Sequence, residues 1–199
     1  MVVSPPPPRR RAPFFYRLAA SLVRVYVTLL YGLRITGTEH VPRRGPCVVA
    51  SNHVSAWDPP VVGLSVPREI HFMAKKELFE HWLPRRVFRA LRVFPVDRAA
   101  NDVGAVKEAL RRLQIGHAIG IFFEGTRNVR GDAAARQGAA FLAQRTGAPL
   151  VPAAIWREGR AFRVAFGPPI RTEGRPRGEV AALTAELELA VKGLLPSST

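Results

Sequence analysis

The chain has 199 residues, enough for about one domain with a sizeable hydrophobic core. Its 30 Lys and Arg residues outnumber its 15 Asp and Glu residues, and the formal net charge of +15 indicates an anionic partner: nucleic acid, acidic lipid or an acidic carrier protein. The single cysteine excludes an internal disulfide and is typical of a reducing compartment.

The start of the chain combines two compositions. Residues 1–13 form a Pro- and Arg-rich tail that cannot build a core, and we predict that this tail is flexible. Residues 14–33 are rich in Leu, Val and aromatics and predict an amphipathic helix. Arg24 would lie near the midplane of any membrane span, where it costs about 2.5–3.5 kcal/mol. We therefore expect a membrane-interfacial helix, with a helix packed in the core as the alternative.

Residues 34–199 alternate between strand-like and helix-like segments and are predicted to form one domain. Strands are predicted over 33–37, 47–51, 70–74, 92–96, 118–123, 149–155 and 162–166. Helices are predicted over 59–64, 76–81, 85–91, 103–115, 133–146 and 178–194. This alternation predicts an α/β fold, a single domain with a mixed central sheet flanked by helices, preceded by the N-terminal amphipathic helix.

A histidine and an aspartate stand five residues apart between the second strand and the first helix of this domain. We expect His53 in the strand-to-helix loop and Asp58 at the N-cap of the helix, followed by Pro59 at its first position. An imidazole is the usual general base near neutral pH, and a carboxylate on its other nitrogen fixes the tautomer. The pair is therefore a candidate catalytic base with its orienting partner.

Three more segments follow in order: Arg92-Val93-Phe94-Pro95-Val96-Asp97-Arg98, Ile121-Phe122-Phe123-Glu124-Gly125-Thr126-Arg127-Asn128 and Ala148-Pro149-Leu150-Val151-Pro152-Ala153-Ala154-Ile155. Together with the pair of His53 and Asp58, they resemble the glycerolipid acyltransferase family, in particular its lysophosphatidate acyltransferases of the PlsC type. The resemblance extends from about Ile35 to Pro169, which is most of the chain, and it implies that residues 34–199 form an acyltransferase domain.

The resemblance implies a role for each matching residue. His53 would deprotonate the acceptor hydroxyl, and Asp58 would orient it. Binding of the acceptor's glycerol phosphate is implied for five residues: Arg98, Glu124, Gly125, Thr126 and Arg127. Pro152 would shape the far side of the site.

The chain departs from the family pattern at three positions. Phe123 and Asn128 stand where the family usually has proline and serine, and Arg136 stands where a lysine commonly precedes x-Gly. Arginine keeps the charge but changes the geometry of a phosphate contact, so head-group preference is affected more than the reaction. Asn52, next to His53, is a further candidate for substrate binding. Lys75 is another candidate for substrate binding, in which it would contact the phosphates of the acyl carrier or an acidic carrier protein. The alternative is that Lys75 lies at the solvent-exposed start of a helix.

The residues themselves favour direct attack by the acceptor rather than an acyl-enzyme. A thioester is already activated, so transfer needs a base and donors for the developing oxyanion. Cys47 is predicted to be buried in a strand, and Ser55 lacks a Gly-x-Ser-x-Gly turn. Acyl-CoA or acyl-carrier protein is expected as co-substrate, with no cofactor. No metal is expected either, because the chain has no His-rich or Cys-rich ligand spacing.

The resemblance implies an enzyme that acylates the sn-2 hydroxyl of 1-acylglycerol 3-phosphate to give phosphatidate. Acylation of another lysolipid or of glycerol 3-phosphate, and hydrolysis of a lipid or thioester by the same His-Asp pair, remain alternatives. The expected location is the cytoplasmic face of the cell membrane, as a peripheral or monotopic protein. Expected partners are an anionic membrane surface, lysophospholipid, acyl thioester and acyl-carrier protein. Nucleic acid is not expected, since the arginines are dispersed rather than clustered.

Overall fold

The computed structural model describes residues 14–55, 57–75, 79–80, 92–96, 103–125, 133–176 and 178–196. Within these ranges the strands are β1 (Leu33–Thr36), β2 (Cys47–His53), β3 (Ile70–Lys75), β4 (Phe94–Val96), β5 (Ala118–Gly125), β6 (Leu150–Glu158) and β7 (Ala161–Phe166). The helices are α1 (Phe14–Leu30), α2 (Asp58–Ser65), α3 (Val103–Gln114), α4 (Ala133–Thr146) and α5 (Val180–Leu194), and a short 3-10 turn spans Thr38–His40.

The strands form one mixed sheet in the order β1-β7-β6-β2-β5-β3-β4. The five strands from β6 to β4 run parallel, because β2 pairs in parallel with β6 and β5, and β3 with β5 and β4. The hairpin of β6 and β7 reverses the direction, and β1 runs parallel to β7. The predicted mixed α/β sheet is confirmed. We call the edge where the parallel strands end the carboxyl edge, and the opposite one the amino edge.

Helices cover both faces of the sheet. On one face α3, α4 and α5 bury Leu113, Ala143 and Leu187 against the sheet. On the other face α1 contacts α2, and both contribute to a second core through Val27 and Val61. The strands divide their side chains between the two cores because successive residues point to opposite faces. The described residues thus form three layers, in which the sheet that carries the His-Asp segment lies between two layers of helices.

Several predicted boundaries differ from the structure by a few residues, and three of the differences have a local structural reason. α1 ends at Leu30 rather than at residue 33, because Gly32 turns the chain with a φ of 78°. The prediction that His53 lies in a loop is wrong: β2 continues to His53, which pairs with Gly125 of β5. Asp58 is the first helical residue of α2 rather than its N-cap, a position that Trp57 occupies. Most of the predicted helix over 76–81, and all of that over 85–91, lie outside the described residues.

Phe72 on β3 fills a space that two glycines leave open. A Cβ at Gly120 of β5 would lie 2.1 Å from Cε1 of the ring, and one at Gly63 of α2 would lie 3.1 Å from Cε2. The ring therefore lies against the β5 backbone, beneath α2. It also stacks on Phe122, with ring centroids 5.6 Å apart. This packing extends from the second core toward the end of β2.

A polar network occupies the amino edge of β3, β5 and β4. His71 stacks on His117 with ring centroids 4.4 Å apart, and its Nδ1 contacts the guanidinium of Arg112. Glu69 lies 3.2 Å from His71 Nε2 and 2.6 Å from Arg92 Nε. Burial lowers the pKa of His71, and burial together with the repulsion that a second positive charge would meet at His71 lowers the pKa of His117 to about 4. Both imidazoles are therefore neutral in the folded protein near neutral pH.

We expect this network to make the fold less stable as the pH falls from 6.5 to about 4. In that interval the unfolded chain binds a proton at His117 that the folded chain does not bind, so acid favours unfolding. Because His117 is only half-buried, we expect about 1 kcal/mol, or about 2–4 °C in Tm. Calorimetry across this range should show the loss in wild type and in His40→Gln. The loss should be smaller in the double variant His71→Gln/His117→Gln, which keeps only the part due to carboxylates such as Glu69 and Glu108, whose pKa values are lowered in the fold. An equal loss there would contradict the assignment.

Candidate active site

His53 and Asp58 form a hydrogen-bonded pair at the carboxyl edge. The distance from His53 Nδ1 to Asp58 Oδ2 is 2.9 Å. The aspartate side chain is 1% exposed and the histidine side chain 23% exposed. When Nδ1 donates its proton to the carboxylate, the lone pair of the imidazole is on Nε2. The pair can therefore accept a proton at Nε2 of a partly exposed side chain and stabilise the resulting imidazolium.

The loop between β2 and α2 closes around the Asp58 carboxylate. Its Oδ2 also accepts hydrogen bonds from the backbone N–H groups of Val54 at 2.6 Å and Ser55 at 2.7 Å. These bonds replace the N-cap interaction predicted for this residue. Oδ1 is buried and has no hydrogen-bond partner among the described residues. Oδ2 thus accepts from three donors, the imidazole and two backbone amides, and these bonds hold the carboxylate next to the imidazole.

The neighbouring strand β5 supports the His53 ring. Phe122 lies against the imidazole with ring centroids 4.7 Å apart, and Phe72 stacks behind Phe122. Beyond this contact the register shifts: Ser51 pairs with Phe122, but Asn52 pairs with Glu124. Phe123 is therefore the extra residue of a bulge, at the position where the family pattern has a proline. The shift places the backbone of Glu124 and Gly125 beside Asn52 and His53.

Four parallel strands end at the same edge of the sheet as this pair. β2, β5, β3 and β4 end at His53, Gly125, Lys75 and Val96, all at the carboxyl edge. This edge is where open α/β sheets usually place their ligands.

Several predicted substrate-binding residues follow these strand ends directly. Thr126 and Arg127 come immediately after β5, and Arg98 comes two residues after β4. All three lie outside the described residues, as do the side chains of Lys75 and Glu124. Their predicted contacts with the substrate stay predictions.

Comparison with known proteins gives the family. The acyltransferase family model matches residues 32–156. The chain belongs to the acyltransferase family. Its resemblance to the glycerolipid acyltransferases of the PlsC type is thereby confirmed, and the protein is an acyltransferase enzyme.

Individual relatives agree with this family. The chain is 30% identical over 193 residues to 1-acyl-sn-glycerol-3-phosphate acyltransferase of Bacillus subtilis (strain 168), a match covering 90% of the chain and 96% of that protein. It is 28% identical over 187 residues to human 1-acyl-sn-glycerol-3-phosphate acyltransferase alpha, covering 81% of the chain and 64% of that protein. The crystal structure of PlsC from Thermotoga maritima superposes with a TM-score of 0.72 at 25% identity, covering 90% and 78% of the two chains.

The remaining predicted residues of the acyltransferase lie at different places in the sheet. Pro152 is buried in β6 and pairs with Ala50. It shares a sheet face with Leu150 and Ala154, opposite the face that carries His53. The side chain of Arg136, on α4, is outside the described residues. The structure therefore does not bring Pro152 and His53 together on one face.

Sequence reasoning missed two contacts of residues near the pair. The ring of Phe122 contacts His53. The sequence indicated only that Phe122 is an apolar residue within a predicted strand. The amide of Asn52, predicted to bind substrate, instead forms two hydrogen bonds to the backbone of Ile155. No local pattern could have signalled that contact, because the two residues are 103 positions apart.

The other candidate nucleophiles do not form a catalytic arrangement in the described part of the acyltransferase. Cys47 is buried, and burial raises the pKa of its thiol to about 11, far above the range of a reactive thiolate. The hydroxyl oxygen of Ser55 accepts a hydrogen bond from the Trp57 N–H at 3.2 Å. Among the described residues, no three His, Cys, Asp or Glu side chains are grouped so that they could hold a metal ion. The chemistry of the described site therefore centres on His53.

Proposed function

We propose that this acyltransferase moves a fatty acyl group from acyl-CoA or acyl-carrier protein to the sn-2 hydroxyl of 1-acylglycerol 3-phosphate, forming phosphatidate. The observation that carries the proposal is the pair of His53 and Asp58, with 2.9 Å between Nδ1 and Oδ2, at the carboxyl edge. The choice of acceptor is supported by the Bacillus subtilis and Borreliella burgdorferi relatives, both named 1-acyl-sn-glycerol-3-phosphate acyltransferase.

The reaction uses His53 as a general base. Nε2 takes the proton of the acceptor hydroxyl while the hydroxyl oxygen attacks the thioester carbonyl carbon. The tetrahedral intermediate collapses, the carbon–sulfur bond breaks, and the imidazolium returns the proton to the departing thiolate. Asp58 stays ionised and stabilises the imidazolium in between. No acyl-enzyme is needed, because the thioester is already an activated donor.

We propose that the acceptor phosphate binds on the β5 side of this base, along the edge formed by the ends of β5, β3 and β4. Arg98 follows β4 and Arg127 follows β5, and guanidinium groups bind phosphate oxygens in a bidentate way. Gly125 lies beside His53 in register, so a ligand there would be within reach of the base. Glu124 and Thr126 would then contact the glycerol or hold the arginines in place.

We expect Arg98→Ala to raise KM for 1-acylglycerol 3-phosphate by about tenfold or more, since a charge-assisted phosphate contact contributes about 1.5–3 kcal/mol. The value of kcat should change less, because the phosphate is bound in both the ground state and the transition state. Arg145→Ala is the matched control, as Arg145 is exposed in the last turn of α4, near the amino edge. An unchanged KM in a stable Arg98→Ala protein would remove Arg98 from the phosphate site.

We also propose that the enzyme works on an anionic membrane surface, which it contacts through α1 and the loop after β2. In the described part of the chain, no helix has the length and apolar character needed to cross a membrane. The contact surface, called here the apolar surface, consists of exposed side chains: Leu18, Leu22, Val25, Tyr26, Leu29, Leu30, Val54 and Trp57. Tyr31 joins its two parts through ring contacts with Tyr26 and Trp57.

The sheet topology accounts for the position of the apolar surface. Because β1 and β7 run against the other strands, β1 begins at the carboxyl edge, and α1 ends there too. Val54 immediately follows His53, so the exposed apolar side chains reach the catalytic pair. An apolar surface of this extent supports interfacial binding, and the net charge of +15 favours anionic lipid.

The double variant Leu22→Glu/Leu29→Glu is expected to bind phosphatidylglycerol-rich vesicles at least ~10²-fold more weakly, because each leucine contributes about 1.5–3 kcal/mol when it leaves water. Sedimentation with vesicles measures this effect, and kcat on detergent-dispersed lysolipid should be retained. Leu189→Glu is the matched control, since Leu189 is 71% exposed on α5. Equal vesicle binding by the double variant and wild type would show that the membrane contacts another surface.

The experiment that tests the reaction is release of free thiol from palmitoyl-CoA in detergent, with product analysis. Parallel samples contain oleoyl-lysophosphatidate, glycerol 3-phosphate, a neutral lysolipid or no acceptor. Release that requires lysophosphatidate and yields phosphatidate supports the proposal. Equal release of thiol without any acceptor would show that the enzyme hydrolyses the thioester instead. Faster release with another acceptor would show that this acceptor, and not lysophosphatidate, is the substrate. If acyl-CoA is inert, acyl-carrier protein is tested as the donor.

A further inference from the structure

The side chain of Asn52 continues the pairing of β2 with β6 beyond the point where the two backbones separate. The backbone register between these strands runs from Val48 to Ser51, which pairs with Ala153. Next along β2, Asn52 Nδ2 donates to the carbonyl oxygen of Ile155, and the Ile155 N–H donates to Asn52 Oδ1, both at 2.8 Å. The amide thus takes the place of a peptide group in the ladder. We call these two bonds the amide clip.

The clip is buried and occupies both polar atoms of the side chain. Asn52 is 5% exposed and Ile155 is 1% exposed. Ser51 Oγ also lies 3.4 Å from Asn52 Oδ1. Reciprocal hydrogen bonds in such a low-dielectric environment hold their partners firmly, because breaking them leaves two buried polar groups unpaired. An amide engaged in this way is poorly suited to bind substrate.

The clip acts on the segment of β2 that carries the catalytic base. At Asn52 the register with β5 also shifts, so the last two residues of β2 form a distinct end segment, and His53 is its last residue. On the β5 side this segment pairs with Glu124 and Gly125. On the β6 side, within the described residues, the amide clip is the contact that joins it to the sheet.

We propose that Asn52 is a positioning residue: its clip to Ile155 fixes the end of β2 and thereby the place of His53 Nε2 relative to the attacking hydroxyl. This inference rests on the proposed role of His53 as the base. A base displaced by about 1 Å can lose about 10²-fold in rate even when substrate binding is unchanged. The clip therefore acts on kcat and not on KM.

The test compares Asn52→Ala with a control that removes a similar bond elsewhere. Thr172 is buried, and its hydroxyl donates to the Ala148 carbonyl oxygen at 2.8 Å, just before β6 begins at the amino edge, whereas His53 ends β2 at the carboxyl edge. Asn52→Ala and Thr172→Val should both lower Tm. Only Asn52→Ala should lower kcat, by about 10²-fold, with KM for the acceptor within about twofold of wild type.

Two further measurements keep the inference testable. Asn52→Asp has the same size and still accepts from the Ile155 N–H, but its ionised form cannot donate to the Ile155 carbonyl oxygen. Protonation restores that donor, so kcat of Asn52→Asp relative to Asn52→Ala should rise as the pH is lowered. The NMR resonance of the His53 Nδ1 proton, which reports its bond to Asp58, should shift in Asn52→Ala and stay in place in Thr172→Val.

The outcomes separate this inference from the proposed reaction. A raised KM with kcat retained would make Asn52 a substrate ligand and overturn the inference. Unchanged kcat and an unmoved Nδ1 resonance in Asn52→Ala would also overturn it. If wild type prefers another acceptor, kcat is measured with that acceptor and the NMR readout is unaffected. The choice of acceptor proposed above would then be wrong, and the positioning role of Asn52 would still be tested by kcat with the preferred acceptor and by the NMR resonance.

Discussion

Replacement of His53 by alanine is expected to lower kcat by about 10³-fold or more, because it removes the group that accepts the hydroxyl proton. The fold should survive the change. The imidazole is partly exposed, and Asp58 Oδ2 keeps its hydrogen bonds from the Val54 and Ser55 amides. Steady-state turnover, measured together with a thermal melt, separates loss of chemistry from loss of structure.

His40→Ala is the matched control for this variant. His40 ends the 3-10 turn after β1, and since β1 runs toward the amino edge, His40 lies away from the pair. Its replacement should leave kcat unchanged. If His53→Ala retains kcat within about tenfold of wild type while folded, another group is the base and the proposed mechanism is wrong.

Asp58→Asn is expected to lower kcat by about 10²–10⁴-fold and to destabilise the fold as well. A neutral amide cannot stabilise the imidazolium that forms during the reaction. If the amide oxygen takes the place of Oδ2 to keep its three donors, the NH2 group takes the place of Oδ1. That position is buried and has no partner among the described residues, so unfolding should become easier by about 1–3 kcal/mol.

The two effects of Asp58→Asn can be measured separately. Activity is assayed well below Tm, where the variant is fully folded, and stability is measured by urea denaturation. Glu158→Gln is the matched control, because it removes the charge of an exposed carboxylate paired with Arg163 and should change neither quantity appreciably. Normal kcat in folded Asp58→Asn would mean that the aspartate only closes the loop.

Local patterns predicted much of the fold and the centre of the site. Interactions between residues close in sequence determine three of these features. They are the apolar run of β2, the proline pair at the start of α2 and the spacing of His53 and Asp58. Such features predicted most strand and helix positions within a few residues. They also predicted that the imidazole of His53 and the carboxylate of Asp58 lie close together, because only a short segment separates the strand from the helix.

Contacts between distant residues could not be predicted in this way. The loop position expected for His53 was wrong because pairing with Gly125 extends β2, and pairing depends on tertiary structure. The reversed direction of β1 and β7 depends equally on the whole sheet. The bond between Asn52 and Ile155 joins residues 103 positions apart, so no window of the sequence contains both. Tertiary contacts of this kind surround the His53–Asp58 pair, although they do not decide which residues form it.

The packing of Phe72 also predicts how related sequences can diverge. A methyl group at Gly120 would overlap the Phe72 ring, so a larger residue at position 120 is tolerated only with a smaller one at position 72. Gly63 limits the same ring from the other side. The three positions are therefore expected to covary, and Phe72→Leu should partly compensate Gly120→Ala. Because Phe72 stacks on Phe122, which lies against His53, substitutions at these glycines would also affect the proposed base.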